Sequence, residues 1–191
     1  IIQEHIAYAR SLGMKVRYTP EDATRTDFEF LIQVCNAAIK AGADRISFAD
    51  TLGIMQPHIM FDKVRALRKH LLPCKIDLHC HNDYGLALAN AMAGIRAGAD
   101  CIHTTVNGLG ERTGIPDLAE TVVSFRNLEG SEKYNIQPLM DVSGYLEKVS
   151  GFFLAPNNRS LDKMHSATRA ECIPTVFSRT RAPTSRSTRP F

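Results

Sequence analysis

Ile76-Asp77-Leu78-His79-Cys80-His81-Asn82-Asp83-Tyr84-Gly85 runs an apolar strand straight into two histidines one residue apart. Side chains alternate along a strand, so residues two apart project from the same face. His79 and His81 are therefore spaced to meet one metal ion from adjacent rungs. On this run alone they could equally end a polar strand among water and carboxylates. Cys80 lies between them, points the opposite way and reads as packing. Three other apolar runs resemble this one, and strands are expected at 15–18, 45–49, 75–78 and 101–106. Their starts are 30, 30 and 26 residues apart, the repeat of β/α units.

Helical patterns fill the intervals. Residues 27–41 carry Phe28, Leu31, Val34, Cys35, Ala38 and Ile39 at helical spacing. Pro57, a favoured first-turn residue, opens a helix to about residue 71. Further helices are expected at 86–97, 117–127 and 141–149. Two helices end in nearly the same phrase, Ala41-Gly42-Ala43-Asp44 and Ala97-Gly98-Ala99-Asp100, in which glycine caps the helix and turns the chain into the next strand. Alternating strands and helices imply a parallel sheet with crossover connections. The polar residues Thr19, Asp50, Thr51, His79, His81 and Asn107 follow strand ends, the edge where both open sheets and (β/α)8 barrels keep their sites. No GxGxxG or GxxxxGK[ST] run is present, which argues against a nucleotide-binding sheet. The expected class is α/β, a (β/α)8 TIM barrel represented by four β/α units, about half of one.

Composition agrees with one domain. The chain has 191 residues, 44% of them hydrophobic and 23% charged. No apolar run approaches the roughly 18 residues of a membrane span. Ile1-Ile2-Gln3-Glu4-His5 is no signal peptide and reads as the inside of a helix. Five cysteines without a CxxC pair suggest reduced thiols and a cytoplasmic setting. Residues 157–191 hold seven Lys/Arg and two acids, so the remainder, with sixteen Lys/Arg and eighteen acids, is mildly acidic. Nothing in that body suggests a nucleic-acid surface.

Three further runs carry possible chemistry. Tyr18-Thr19-Pro20-Glu21-Asp22-Ala23-Thr24-Arg25-Thr26-Asp27 leaves a strand and enters a helix. It serves as a cap, which leaves Arg17 and Thr19 at the strand edge unexplained. Phe48-Ala49-Asp50-Thr51-Leu52-Gly53 puts a carboxylate and a hydroxyl at another strand end, and alone it reads as a turn. Thr104-Thr105-Val106-Asn107-Gly108-Leu109-Gly110-Glu111-Arg112-Thr113-Gly114 is a glycine-rich turn that could cradle a phosphate or simply reverse the chain.

Together and in this order, these segments resemble the acetyl-CoA-dependent 2-oxo acid synthases. That family includes 2-isopropylmalate, homocitrate, citramalate and Re-type citrate synthases. The resemblance covers about residues 1–155. It rests on His79-Cys80-His81-Asn82-Asp83 together with Asn107-Gly108-Leu109-Gly110-Glu111-Arg112. It implies the C-terminal half of a TIM barrel with a divalent metal (Zn, Mn or Mg) at its mouth. The implied reaction is a Claisen condensation of acetyl-CoA with a 2-oxo acid, followed by thioester hydrolysis, in a homodimer. By position, His79 and His81 match the metal pair, and Thr51 matches the threonine holding the oxo acid's carboxylate. Arg17 and Thr19 match contacts to its distal part. An arginine there suits a second carboxylate, which favours 2-oxoglutarate over a branched acid. The wording is most like homocitrate synthases. A metal-dependent acyl-CoA lyase of the same barrel, or a non-catalytic binding module, would share much of the pattern.

There are departures. Ile115 stands where many members have asparagine, and the strand bearing an Asp ligand and a catalytic Arg has no counterpart, so the isolated chain is expected to be inactive. The expected organisation is barrel over 1–130, the start of a linker or helical subdomain over 131–156, and an irregular basic tail over 157–191. Reading codons one base earlier through Asn158-Arg159-Ser160-Leu161-Asp162 allows Pro-Ile-Val-Gly, the wording this family has there. A frameshift near Asn157 is therefore expected. In that case His165 is not the family's catalytic histidine, and the coding DNA decides the matter.

Overall fold

The computed structural model describes residues 1–154, so the basic tail and its proposed frameshift lie outside the described residues. The elements alternate: α1 (Ile2–Ser11), β1 (Arg17–Tyr18), α2 (Phe28–Lys40), β2 (Arg45–Asp50), α3 (Pro57–His70), β3 (Lys75–Cys80), α4 (Ala87–Arg96), β4 (Cys101–Ile102), α5 (Leu118–Glu129) and α6 (Leu139–Ser150). The helix starts follow local chemistry. The Asp27 carboxylate accepts from the Phe30 amide at 2.9 Å, Asp117 accepts from Glu120 at 2.9 Å, and Pro57 occupies the first turn of α3.

The strands form one parallel sheet in the order β1-β2-β3-β4. The register sets Ser47 beside Asp77 beside Cys101, and Ala49 beside His79. One face therefore carries Ile46, Phe48, Ile76, Leu78, Cys80 and Ile102. These pack with Leu31, Cys35 and Ala38 of α2, Met60, Val64 and Leu67 of α3, and Ala87 and Ala91 of α4. The other face carries Arg17, Arg45, Ser47, Asp77 and His79. A doubly wound sheet is covered on both faces and reads apolar on both. Helices covering one face only are what a barrel wall presents.

Four strand limits differ from those the sequence predicts, β2 by one residue at Asp50. β1 starts at Arg17 rather than residue 15, because Val16 N donates to the Asp44 carboxylate rather than to a strand carbonyl, and it ends at Tyr18 as expected. β3 runs on to Cys80, and His81 N still donates to Asp50 O at 3.2 Å. β4 ends at Ile102. The backbone then bridges Thr105 to Asp117 and enters a tight 3-10 turn, Val106–Gly108, where Asn107 takes φ 59° and ends any extended run.

The repeated phrase is a repeated clamp. Asp44 accepts from Val16 N at 2.7 Å and its own amide returns to Val16 O at 2.8 Å. Asp100 accepts from Ile76 N at 2.8 Å and returns to Ile76 O at 2.8 Å. An arginine from the helix before each clamped strand completes it: Arg10 pairs with Asp44, and Arg68 pairs with Asp100. The clamps sit on the pairs β1–β2 and β3–β4, whose ladders are two residues long, while β2–β3 has six.

Candidate functional site

His79 projects from β3 onto the polar face, and His81 follows just beyond the strand, 6% exposed. Their ring centroids are 5.0 Å apart at 78°. The strand spacing thus brings the two imidazoles together, while Cys80 between them is buried in the opposite, apolar layer. Burial, then the neighbouring His103 and His81, lower the His79 pKa to about 4, so its ring is neutral near pH 7. A neutral imidazole is the form that ligates metals. His81 Nδ1 is buried and has no hydrogen-bond partner among the described residues. An orphaned buried nitrogen beside a neutral ring suits a shared cation. These are two donors. Among the described residues no group of three His, Cys, Asp or Glu is arranged to hold a metal ion.

The structure adds a histidine that the sequence reading missed. His103 lies just past β4, with Nδ1 3.1 Å from Nδ1 of His79, and Arg17 Nη1 donates to its Nε2 at 2.8 Å. Burial and the Arg17 charge lower the His103 pKa against the opposing pull of Asp77. Asp77, fully buried, anchors the cluster. It accepts both contacts of Arg45 Nη1 at 3.0 Å, lies 3.8 Å from Arg17 Nη1 and 3.6 Å from His103 Nε2. Arg17, His103, His79 and His81 therefore form a continuous polar row. A signal for His103 was available, since it stands three residues after the repeated Asp100, as inward-facing Ser47 stands three after Asp44.

Thr51 sits on the loop after β2, and its hydroxyl oxygen accepts from Asp22 N at 2.8 Å, leaving its hydrogen as a donor. Thr19 is exposed just past β1. Asp50 proves to be the turn residue that its sequence suggested, accepting from Ile54 N at 3.1 Å and Met55 N at 3.0 Å. The glycine-rich segment closes on itself: Gly114 takes φ 82°, and an added Cβ would sit 1.8 Å from Gly108 O. From this turn Arg112 reaches Asp83 through two contacts of 2.8 Å and donates to Thr51 O at 2.6 Å. It thereby ties the loops after β2 and β3 together, and its guanidinium holds the Asp83 carboxyl below the usual carboxylate range. Gly53 lies under this contact, where a Cβ would come 2.7 Å from Asp83 Oδ2.

The HMGL-like family profile matches residues 1–146. The chain belongs to the HMGL-like family. Among its HMGL-like relatives, homocitrate synthase of Saccharolobus solfataricus is 47% identical over 157 residues, 82% of this chain and 34% of that protein. Homocitrate synthase of Sulfurisphaera tokodaii is 46% identical over the same share. The chain thus spans about a third of the length of these curated relatives. The HMG-CoA lyase of Bacillus subtilis superposes with a TM-score of 0.75 at 20% identity, over 85% of this chain and 59% of that one. A carboxyl transferase domain of Rhizobium etli pyruvate carboxylase gives 0.68 at 20%, over 78% of this chain and 26% of that one. Such identities establish the fold, and the described residues are part of an HMGL-like (β/α) barrel. No helix among them is long and apolar enough to cross a membrane.

Proposed function

We propose that this chain forms the metal and oxo-acid side of an acetyl-CoA-dependent acyltransferase that condenses acetyl-CoA with 2-oxoglutarate. The observation that carries the reading is the row from His79 and His81 to Arg17 on one polar face, in a chain 47% identical to a homocitrate synthase. His79 and His81 would hold a divalent metal (Zn, Mn or Mg), with any third protein ligand coming from outside the described residues. Such an ion would act as a Lewis acid on the ketone of the oxo acid.

The chain's own residues orient the substrate. Thr51, whose hydroxyl hydrogen is free, donates to the carboxylate beside the ketone. Arg17, with its side chain 49% exposed, takes the distal carboxylate through parallel hydrogen bonds, and Thr19 lies beside it. Pinning both ends of a five-carbon dicarboxylate fixes which ketone face meets the acetyl carbon. Arg112 keeps the Thr51 loop in place through Asp83.

The barrel wall spans residues 1–130, and α6 opens a following helical segment. The test is a chimera in which residues 1–154 replace the matching part of the Saccharolobus homocitrate synthase. Free thiol should appear from acetyl-CoA with 2-oxoglutarate, less with 2-oxoisovalerate, and not from the isolated chain. A chimera that folds but prefers the branched acid overturns the substrate. One that cleaves a 3-hydroxyacyl-CoA instead makes the chain a lyase.

A further inference from the structure

The row of nitrogens from Arg17 to His79 permits one placement of protons. A guanidinium has donors and no acceptor, so the 2.8 Å contact from Arg17 Nη1 requires a bare lone pair on His103 Nε2. Neutral His103 then carries its hydrogen on Nδ1. That hydrogen points at His79 Nδ1, 3.1 Å away, which must accept it. Neutral His79 is left with its hydrogen on Nε2. Both its nitrogens are then committed, and neither has a lone pair for a cation.

We propose that Arg17, acting through His103 as a positioning residue, holds His79 in the tautomer that does not ligate. The inference rests on the proposed function only in taking His79 as a metal ligand. For His79 to offer Nε2, the row must invert. His79 Nδ1 then donates to His103 Nδ1, and His103 Nε2 gains a hydrogen that cannot face Arg17. The acceptor at hand is Asp77 Oδ2, 3.6 Å from that Nε2. Arg17 leaves His103, and its donors become available to a carboxylate. Cation loading and the distal-carboxylate site are then two sides of one equilibrium, so each ligand favours the other.

The rest of the cluster fits this switch. Asp77 is fully buried and Arg45 holds it by two contacts of 3.0 Å, so the alternative acceptor stays in place whichever way the row runs. The Arg17 side chain is 49% exposed, so it can swing away without unpacking the core.

The test is two-bond nitrogen–proton correlation spectroscopy of the 191-residue chain, metal-free at neutral pH, with ¹⁵N-labelled histidine assigned through single variants. The expected pattern is His79 protonated on Nε2 and His103 on Nδ1. In Arg17→Met, His103 is released and the Nδ1-protonated form of His79 should become comparable with the other. If the ligating tautomer is ~10% populated in the native chain, Arg17→Met should bind Zn²⁺ ~5-fold tighter. His79 protonated on Nδ1 before any metal is added overturns the proposal, as does an Arg17→Met spectrum unchanged at both rings. Should Zn²⁺ move neither His79 nor His81 while Arg17→Met still shifts the tautomers, the metal reading fails and the proton lock stands.

Discussion

Asp77→Asn tests the cluster on which the site is built. The carboxylate is fully buried, with Arg45 at 3.0 Å and Arg17 at 3.8 Å. Removing one member of a buried ion pair costs about 3–5 kcal/mol, because the other charge is left uncompensated. Here that cost is reduced. The Arg45 side chain is 32% exposed and that of Arg17 49%, so both can turn to water, and asparagine keeps an acceptor oxygen. The expected loss is about 2–3 kcal/mol, a fall in Tm of roughly 5–10 °C for a chain of this size. Urea unfolding followed by far-ultraviolet circular dichroism reads it directly. Arg45→Met supplies the control, since the double variant should lose clearly less than the sum of the singles. If Asp77→Asn stays within about 0.5 kcal/mol of the native chain, Asp77 is no anchor and the account of the polar face is wrong.

The remaining predictions concern packing, pH and metal. Gly94→Ala in α4 places a Cβ 2.4 Å from Leu78 Cδ1. Overpacking of about 1–3 kcal/mol exceeds the ~1 kcal/mol gained in helix propensity, so the variant is less stable, and adding Leu78→Val should recover part of the loss in the same urea assay. Asp83 has a depressed folded pKa through Arg112, so this pair stabilises above the ordinary carboxylate range and ceases to do so as pH falls through the folded pKa. The difference in stability between the native chain and Arg112→Ala should therefore shrink in acid, and a difference independent of pH contradicts the pairing. His79 runs the same way, with a folded pKa near 4 below its ordinary value, so the unfolded chain binds more protons and His79 costs stability as pH falls from about 6.5 toward 4. His79→Asn should flatten the acid limb of the stability curve over that window. In the chimera, His79→Asn or His81→Asn should weaken Zn²⁺ binding by at least ~10-fold by competition with a chelator, and unchanged affinity removes them from the metal site.

Strands and helices were legible because their signals are local: apolar runs at a β/α repeat, Pro57 and Asp27 at helix starts, and glycine before each repeated aspartate. The pairing of His79 with His81 was legible for the same reason, since it needs only the two-residue period of one strand. What escaped was cross-strand register. His103 meets His79 across 24 positions, and Arg112 meets Asp83 across 29. No periodicity within one element reports such a contact. The 101–106 strand was overextended because Thr104, Thr105 and Val106 favour extended backbone, whereas the bridge to Asp117 and the turn at Asn107 redirect it.

The aspartate clamps bear on how such a wall is put together. Each stitches a short seam with a few local parts, an acid after the glycine and an arginine on the helix before the clamped strand. The long central ladder carries no aspartate clamp of this kind and has instead the Arg45–Asp77 pair. The sheet is thus two cassettes, each fastened internally by its clamp and joined to the other by the six-residue ladder and by Arg45 on Asp77. A cassette carrying the same phrase and the same arginine could be grafted onto this edge without redesigning its neighbour. Under force the join between cassettes, rather than either seam, should be the last to part.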